Sequence, residues 1–105
     1  TDSLGEQVQK AFPEARVVKT LNIVSAPVMI APSAVPGGQP TMFVSGNDAE
    51  AKRQVTQLLR EQLGWEDVID LGDITTSRGT EMLLPLWVRT FGALGTPMFG
   101  FRAVR

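Results

Sequence analysis

The chain has 105 residues, of which 43% are hydrophobic and 20% charged, and its formal net charge is -1. This length and composition indicate one globular domain over residues 1–105, and the low net charge with scattered basic residues argues against a nucleic-acid-binding surface. Because the chain contains neither histidine nor cysteine, disulfides, thiol nucleophiles, the common zinc sites and histidine-based triads are excluded, and no metal site is expected.

The first predicted element is a helix over residues 3–12. Ser3 and Glu6 have the spacing of a capping box, in which the hydroxyl accepts a hydrogen bond from a first-turn amide and the carboxylate accepts one from the cap residue. Apolar side chains then recur at helical spacing until Pro13, which cannot continue the helix. We therefore expect an amphipathic helix at the start of the chain.

A strand is predicted over residues 16–23, where β-branched side chains are frequent. Lys19 and Asn22 interrupt this apolar run, and burial of a charge or an amide without a partner is costly. Two interpretations stay open. Either Lys19 extends to solvent from a strand edge while Asn22 caps the next turn, or both lie beyond the carboxyl end of a parallel strand, where open α/β sheets bind ligands. In the second case the lysine offers a charge to a phosphate or carboxylate, and the amide can donate and accept at once.

The middle of the chain alternates between loop, strand and helix. Residues 25–40 contain four prolines and a Gly-Gly pair, which predicts an irregular loop with one short helical turn near Pro27–Ile30. A strand, a helix beginning with the box Asn47-x-x-Glu50 and ending at Gly64, and a further strand are then predicted over 41–46, 47–64 and 67–72. This order predicts helices packed on a sheet.

Two polar stretches could carry chemistry. Residues 45–48, "SGND", precede a helix N-terminus that could bind an anion. One glycine is too few for a dinucleotide fingerprint, however, and Asp48 would repel a phosphate, so helix capping is favoured. Asp70 and Asp73 could form an acid–base pair, but nothing in the sequence separates their pKa values.

The residues before the last helix predict local stabilising contacts. Thr76 or Ser77 is expected to cap that helix. Glu81 follows Arg78 by three positions, which predicts an ion pair on one helix face.

The tail from Met82 to Phe101 is strongly apolar, with Arg89 as its only charge. Its prolines and glycines leave no apolar run of about 20 residues, so a membrane span is disfavoured. A helix that is apolar on most of its surface needs a partner, which would be a second copy of the chain or a missing part of the same chain. The contacts predicted for a homo-oligomer are Met82, Leu83, Leu86, Trp87 and Phe91.

Three blocks in this order resemble the second half of the coenzyme F420-dependent NADP oxidoreductase family: "ARVVKTLNIVSA", "TMFVSGNDAEAKRQVTQLLREQLGW" and "VIDLGDITTSRGTEMLLPLW". They are also similar to the cytosolic reductase domain of the six-transmembrane metalloreductases. The resemblance implies an α/β fold with a partial Rossmann-like sheet of about three strands, mixed or parallel, with flanking helices and an apolar C-terminal helix. Because the Gly-rich NADP fingerprint is absent, it also implies the C-terminal portion of a longer enzyme.

The function that the resemblance implies is hydride transfer between NADPH and coenzyme F420 or a flavin, in the cytoplasm. Such a transfer requires orientation and exclusion of water rather than acid–base groups, so no catalytic side chain is expected. The residues implied to border the nicotinamide and the deazaflavin or flavin ring are Lys19, Thr20, Leu21, Asn22, Ser25 and Ala26. Without the fingerprint, the chain alone is expected to bind NADPH weakly. The alternative is a non-catalytic α/β domain that self-associates or docks a partner through its C-terminal helix.

Overall fold

The computed structural model describes residues 1–105 and contains a three-stranded sheet flanked by five α-helices. The elements are α1 (Leu4–Ala11), β1 (Val18–Lys19), α2 (Ala26–Ile30), β2 (Met42–Gly46), α3 (Ala49–Glu61), β3 (Val68–Gly72), α4 (Ser77–Glu81) and α5 (Leu84–Leu94). Short 3₁₀ turns over Pro32–Ala34 and Ile74–Thr76 precede β2 and α4. The predicted α/β class, with about three strands and a helix near the C-terminus, is confirmed.

The sheet is mixed, with strand order β1-β2-β3. Strands β2 and β3 are parallel and joined through α3, whereas β1 runs antiparallel to β2, with Lys19 opposite Ser45. The residues after Lys19 therefore run toward the amino end of β2, where the Thr20 hydroxyl donates to the Phe43 carbonyl at 2.8 Å. The expectation that Lys19 and Asn22 lie beyond the carboxyl ends of the parallel strands is wrong for β2 and β3.

The predicted strand over 16–23 is much shorter than expected. Only Val18–Lys19 pairs with β2, because Leu21 has a φ of 66° and turns the chain out of the strand direction. Successive side chains of an extended strand point to opposite faces, but after this bend Ile23 and Val24 are both buried. The bend thus lets two consecutive apolar residues enter one core.

The hydrophobic core lies between the sheet and its helices. Trp65 fills part of it, and its indole N–H donates to the Met29 carbonyl at 2.9 Å, which joins the end of the α3–β3 connection to α2. The fully buried cluster is Ile23, Val24, Val28, Met42, Val44, Leu59 and Trp65.

Helix capping follows the sequence in part. The Ser3–Glu6 capping box of α1 is present as predicted. For α3 the cap is Asp48, whose carboxylate accepts from Ala51 N at 2.8 Å, and the prediction of Asn47 as the cap is wrong. The Asn47 amide oxygen accepts instead from Ile74 N at 3.0 Å and ties the start of α3 to the turn after β3.

The C-terminal region contains two short helices rather than one long one. Helix α4 ends at Glu81 and α5 begins at Leu84, with Pro85 in its first turn. Neither Thr76 nor Ser77 makes a side-chain cap of the last helix, and Ser77 lies inside α4, fully buried. None of the helices is both long enough and apolar enough to cross a bilayer.

Candidate functional site

The sequence-predicted site residues all lie in one bent segment, which we call the 19–26 segment (residues 19–26). Lys19, Thr20, Leu21 and Ser25 are half-buried, and Asn22 and Ala26 are exposed. At its centre, Leu21 is the only non-glycine residue with a positive φ. A branched side chain in this conformation is unusual, because its Cβ crowds the backbone carbonyl. The structure therefore brings the predicted residues together around a strained bend.

Hydrogen bonds to distant parts of the chain hold the 19–26 segment in place. Besides the bond from Thr20 to β2, the Asn22 amide donates to the Thr80 carbonyl of α4 at 3.1 Å. The Ser25 hydroxyl donates to the Pro97 carbonyl, after α5, at 3.0 Å. The segment is thus attached to the sheet, to α4 and to the C-terminal tail.

Lys19 has an ionic partner that lies far away in the sequence. Its Nζ is 3.5 Å from the Glu81 carboxylate, and the two side chains are 20% and 23% exposed. The same carboxylate accepts from the first amides of α1, Leu4 N at 2.7 Å and Gly5 N at 3.0 Å. Burial raises the pKa of Glu81, but the two amides and the lysine charge lower it by more, so that the net pKa lies below its ordinary value. Glu81 is therefore the shared anion of the Lys19 side chain and the α1 N-terminus.

A second ion pair, in which the Glu6 carboxylate is buried, fixes α1 against α4. The guanidinium of Arg78 donates two hydrogen bonds to the Glu6 carboxylate, at 2.6 and 2.7 Å. Hydrogen bonding from Arg78 outweighs the effect of burial and lowers the pKa of Glu6 from 4.5 to about 2. The predicted Glu81–Arg78 pair is therefore wrong, because each of these side chains is bound across the α1–α4 contact.

Sequence analysis identified the residues of the segment but missed what holds it. Asn22 and its acceptor are 58 positions apart, and Ser25 and its acceptor are 72 apart. Three of the four acceptors are backbone carbonyls, which carry no residue signature. For Glu81, the spacing to Arg78 predicted a local ion pair, and nothing in the sequence indicated the distant partner Lys19.

The other polar stretches have structural roles. Asp70 accepts from Lys52 at 2.9 Å, and Asp73 caps the 3₁₀ turn by accepting from Thr75 N at 2.9 Å. A cavity of about 660 Å³ lies near the carboxyl ends of β2 and β3, away from the 19–26 segment. Its charged lining residues have mixed sign: Glu6, Lys10, Glu14, Arg16 and Asp48. The hydrogen bonds of Asp70 and Asp73 therefore argue against an acid–base pair, and the cap that Asp48 forms argues against a phosphate loop.

Fold and site together define an α/β domain with a mixed, Rossmann-like partial sheet and a constrained polar bend beside its edge strand. No family model matches the chain, and a search of curated proteins finds no match. Among solved structures, the chain matches a protein from Arthrobacter sp. FB24 described as a "putative f420 dependent nadp-reductase", with 61% sequence identity and a TM-score of 0.97. The match covers 100% of this chain and 47% of that one, so the chain spans about half the length of this relative.

Proposed function

We propose that the chain is the C-terminal portion of an NADP-dependent oxidoreductase that transfers hydride between NADPH and coenzyme F420 or a flavin. The observation that carries this proposal is the 61% identity, over the whole chain, to the Arthrobacter protein and the functional description of that protein. A backbone match at a TM-score of 0.97 indicates that the 19–26 segment has the same backbone arrangement in the matched part of that protein. Kinship with the six-transmembrane metalloreductases and a cytoplasmic location stay predictions from the sequence.

The position of β1 supports a site at the 19–26 segment. β1 is an edge strand of this sheet, paired with β2 on one side only. A further strand, parallel to β1 and paired with its other edge, would place Lys19–Asn22 at the carboxyl end of that pair. Ligands of open α/β sheets bind at such an end. The preceding half of a longer reductase is the natural source of that strand.

The side chains of the segment suit a neutral polar ring better than a phosphate. The charge of Lys19 is balanced by Glu81, and Asn22 is exposed and uses one amide N–H on Thr80. Most of the arginines that could bind a diphosphate are engaged with carboxylates, in the pairs Arg16–Asp48, Arg53–Glu50, Arg78–Glu6 and Arg105–Asp67. We therefore assign the ring-binding part of the cofactor site to this chain, and the NADP phosphates to residues outside it.

The bound cofactors would supply the redox chemistry, with nicotinamide and deazaflavin or flavin as the hydride donor and acceptor. The chain would bind and orient these rings. Asn22 offers its amide to ring carbonyl or amide groups, Lys19 and Thr20 form the polar border, and Ser25 holds the far end of the segment through Pro97. Leu21 and Ala26 supply apolar surface that excludes water. Placement of two rings in contact is the main requirement for this reaction.

A second candidate function rests on α5. Several of its large apolar side chains are exposed, with values of 53% for Leu86, 54% for Val88 and 40% for Phe91. Exposed large apolar side chains in this number are typical of an interaction site. The chain could then act as a non-catalytic domain that self-associates through Met82, Leu83, Leu86, Trp87 and Phe91.

Titration of the isotope-labelled chain with coenzyme F420, followed by amide chemical shifts, tests the proposed function. We expect the shift changes to concentrate in residues 19–26 and to weaken in Asn22→Ala. Asn47→Asp, which keeps the acceptor oxygen for Ile74 N and lies at the opposite end of the sheet, should leave the titration unchanged. NADPH should bind weakly, because we assign the binding of its phosphates to residues outside this chain. Shift changes confined to the α5 surface, or submicromolar NADPH affinity, would contradict the assignment.

A further inference from the structure

The left-handed conformation of Leu21 needs a cause outside the residue itself. Leucine disfavours a φ of 66°, and neither of its neighbours is a glycine that could take up the turn. Such a conformation persists only where the surroundings fix the chain on both sides. Here the flanking residues Lys19 and Asn22 are both held by α4, one through the Glu81 carboxylate and the other through the Thr80 carbonyl.

Glu81 differs from the other attachments because its own position is fixed. Its two oxygens accept from Leu4 N and Gly5 N, two of the amides that a helix N-terminus leaves without intrahelical partners. A negative charge at this end of a helix is also favoured by the helix dipole. The carboxylate is thereby oriented before it meets Lys19, and α1 restrains the bend through it.

We propose that Glu81 is a positioning residue, which holds Lys19 and so keeps Leu21 left-handed and the 19–26 segment in its ligand-ready shape. The proposal rests on the proposed function only in calling that shape ligand-ready. Glu81 itself touches no ligand in this account. It acts through Lys19, and the adjacent Thr80 carbonyl acts through Asn22.

Glu81→Gln tests this role with little change in size. The amide retains one oxygen for an α1 amide, but its NH₂ group cannot accept from Lys19. The ¹⁵N order parameters of the backbone amides in residues 19–22 should fall from about 0.85, the value of a rigid backbone, toward about 0.6, because the bend loses one of its attachments. The strong intraresidue amide–Hα nuclear Overhauser effect that marks a positive φ should weaken at Leu21. Glu50→Gln, which breaks an exposed ion pair on α3, is the matched control and should change neither signal.

A rescue experiment separates positioning from a merely structural role. Asparagine occupies the left-handed region far more readily than leucine, so Leu21→Asn should restore high backbone order parameters in the Glu81→Gln background. If Glu81 only stabilised α1, a change at residue 21 would rescue nothing. Lys19→Gln is the second route, because it removes the pair and leaves the α1 amides bound. It should lower the order parameters of residues 19–22 and leave the α1 amides protected from hydrogen exchange.

The outcomes distinguish this proposal from the proposed function. Unchanged order parameters of residues 19–22 in both Glu81→Gln and Lys19→Gln, or faster amide exchange throughout α1 without rescue, overturns the positioning role. A loss of backbone order confined to residues 19–22, and restored by Leu21→Asn, supports it. If that result is obtained and coenzyme F420 leaves residues 19–26 of the unmodified chain unperturbed, the proposed function fails while the positioning role stands.

Discussion

Glu6 has two roles at the residue scale, since it closes the capping box of α1 and accepts two hydrogen bonds from Arg78. The first role could be predicted from the spacing of Ser3 and Glu6. The second could not, because the partner is 72 positions away and only the packing of α1 on α4 brings it near. The same limit applies to Lys19 and Glu81. The sequence indicated which charged residues need a partner, but it did not indicate which residues form the ion pairs with them.

Glu6→Gln should reduce the dependence of stability on acidic pH. Because Arg78 lowers the pKa of Glu6 from 4.5 to about 2, the ionised side chain stabilises the fold fully above pH 4.5, and this contribution is lost as the pH falls toward 2. Urea unfolding at a series of pH values should show the largest difference between the two proteins above pH 4.5. Glutamine is compatible with the capping box, so the difference reports mainly on the ion pair.

Glu50→Gln is the matched control for this prediction. Arg53 lowers the pKa of Glu50 to about 2 as well, but both of these side chains are well exposed. Exposed pairs on a helix contribute little and are screened by salt. The effect of Glu50→Gln should be small and should fade at high salt, whereas that of Glu6→Gln should persist. Equal salt dependence in the two variants would show that the Glu6–Arg78 pair acts as a surface pair.

Among the elements, those with local signals were predictable. α1, β2, α3 and β3 follow from capping residues, β-branched runs and helical spacing. β1 was predicted too long because its composition is that of a strand, while the end of the strand is set by the Leu21 bend and its distant attachments. The division between α4 and α5 was missed because the apolar pattern runs through Met82 and Leu83 without a break. Tertiary contacts override local propensity at both places.

The contact between α1 and α4 makes Gly5 sensitive to substitution. A Cβ at this position would lie 2.9 Å from Ser77 Oγ and 3.2 Å from Ile74 Cδ1. Ser77 is buried and hydrogen bonded to Ser3 and to the Ile74 carbonyl, so it cannot move aside cheaply. Overpacking of about 1–3 kcal/mol then exceeds the helix-propensity gain of about 1 kcal/mol.

We therefore expect Gly5→Ala to lower the free energy of unfolding by about 1 kcal/mol, measured by urea denaturation. Gly79→Ala is the control in the partner helix. Nothing lies within 4 Å of a Cβ at position 79, so this variant should be unchanged or stabilised by up to about 1 kcal/mol. If Gly5→Ala were as stable as Gly79→Ala, the close approach of the two helices would be refuted.

For the whole molecule, the exposed side chains of α5 are the feature that the fold of the chain leaves unexplained. Trp87 and Leu83 are half-buried against the rest of the chain, with the Trp87 ring stacked on Phe99 at 5.2 Å between ring centroids. Met82, Leu86 and Phe91 are exposed, by 77%, 53% and 40%. The predicted homo-oligomer would cover these residues, and it stays a prediction.

Leu86→Glu tests that prediction, because a carboxylate in an apolar interface is strongly unfavourable. In sedimentation velocity we expect the unmodified chain to be oligomeric and Leu86→Glu to be a folded monomer. Leu58→Glu is matched in exposure, since both leucines are 53% exposed, but it lies on α3 outside the predicted contact and should remain oligomeric. A monomeric unmodified chain, or equal behaviour of the two variants, would contradict an interface at α5.

We propose that this chain provides the ring-binding part of an F420-dependent reductase, and a hybrid protein tests this proposal most directly. The half of the Arthrobacter protein that this chain matches would be replaced by the chain, and NADPH-dependent reduction of coenzyme F420 would be followed by absorbance beside the unaltered parent. We expect the hybrid to transfer hydride, with Asn22→Ala raising the KM for coenzyme F420 and leaving NADPH binding intact. A folded hybrid that binds NADPH but does not reduce coenzyme F420, beside an active parent, would contradict the claim.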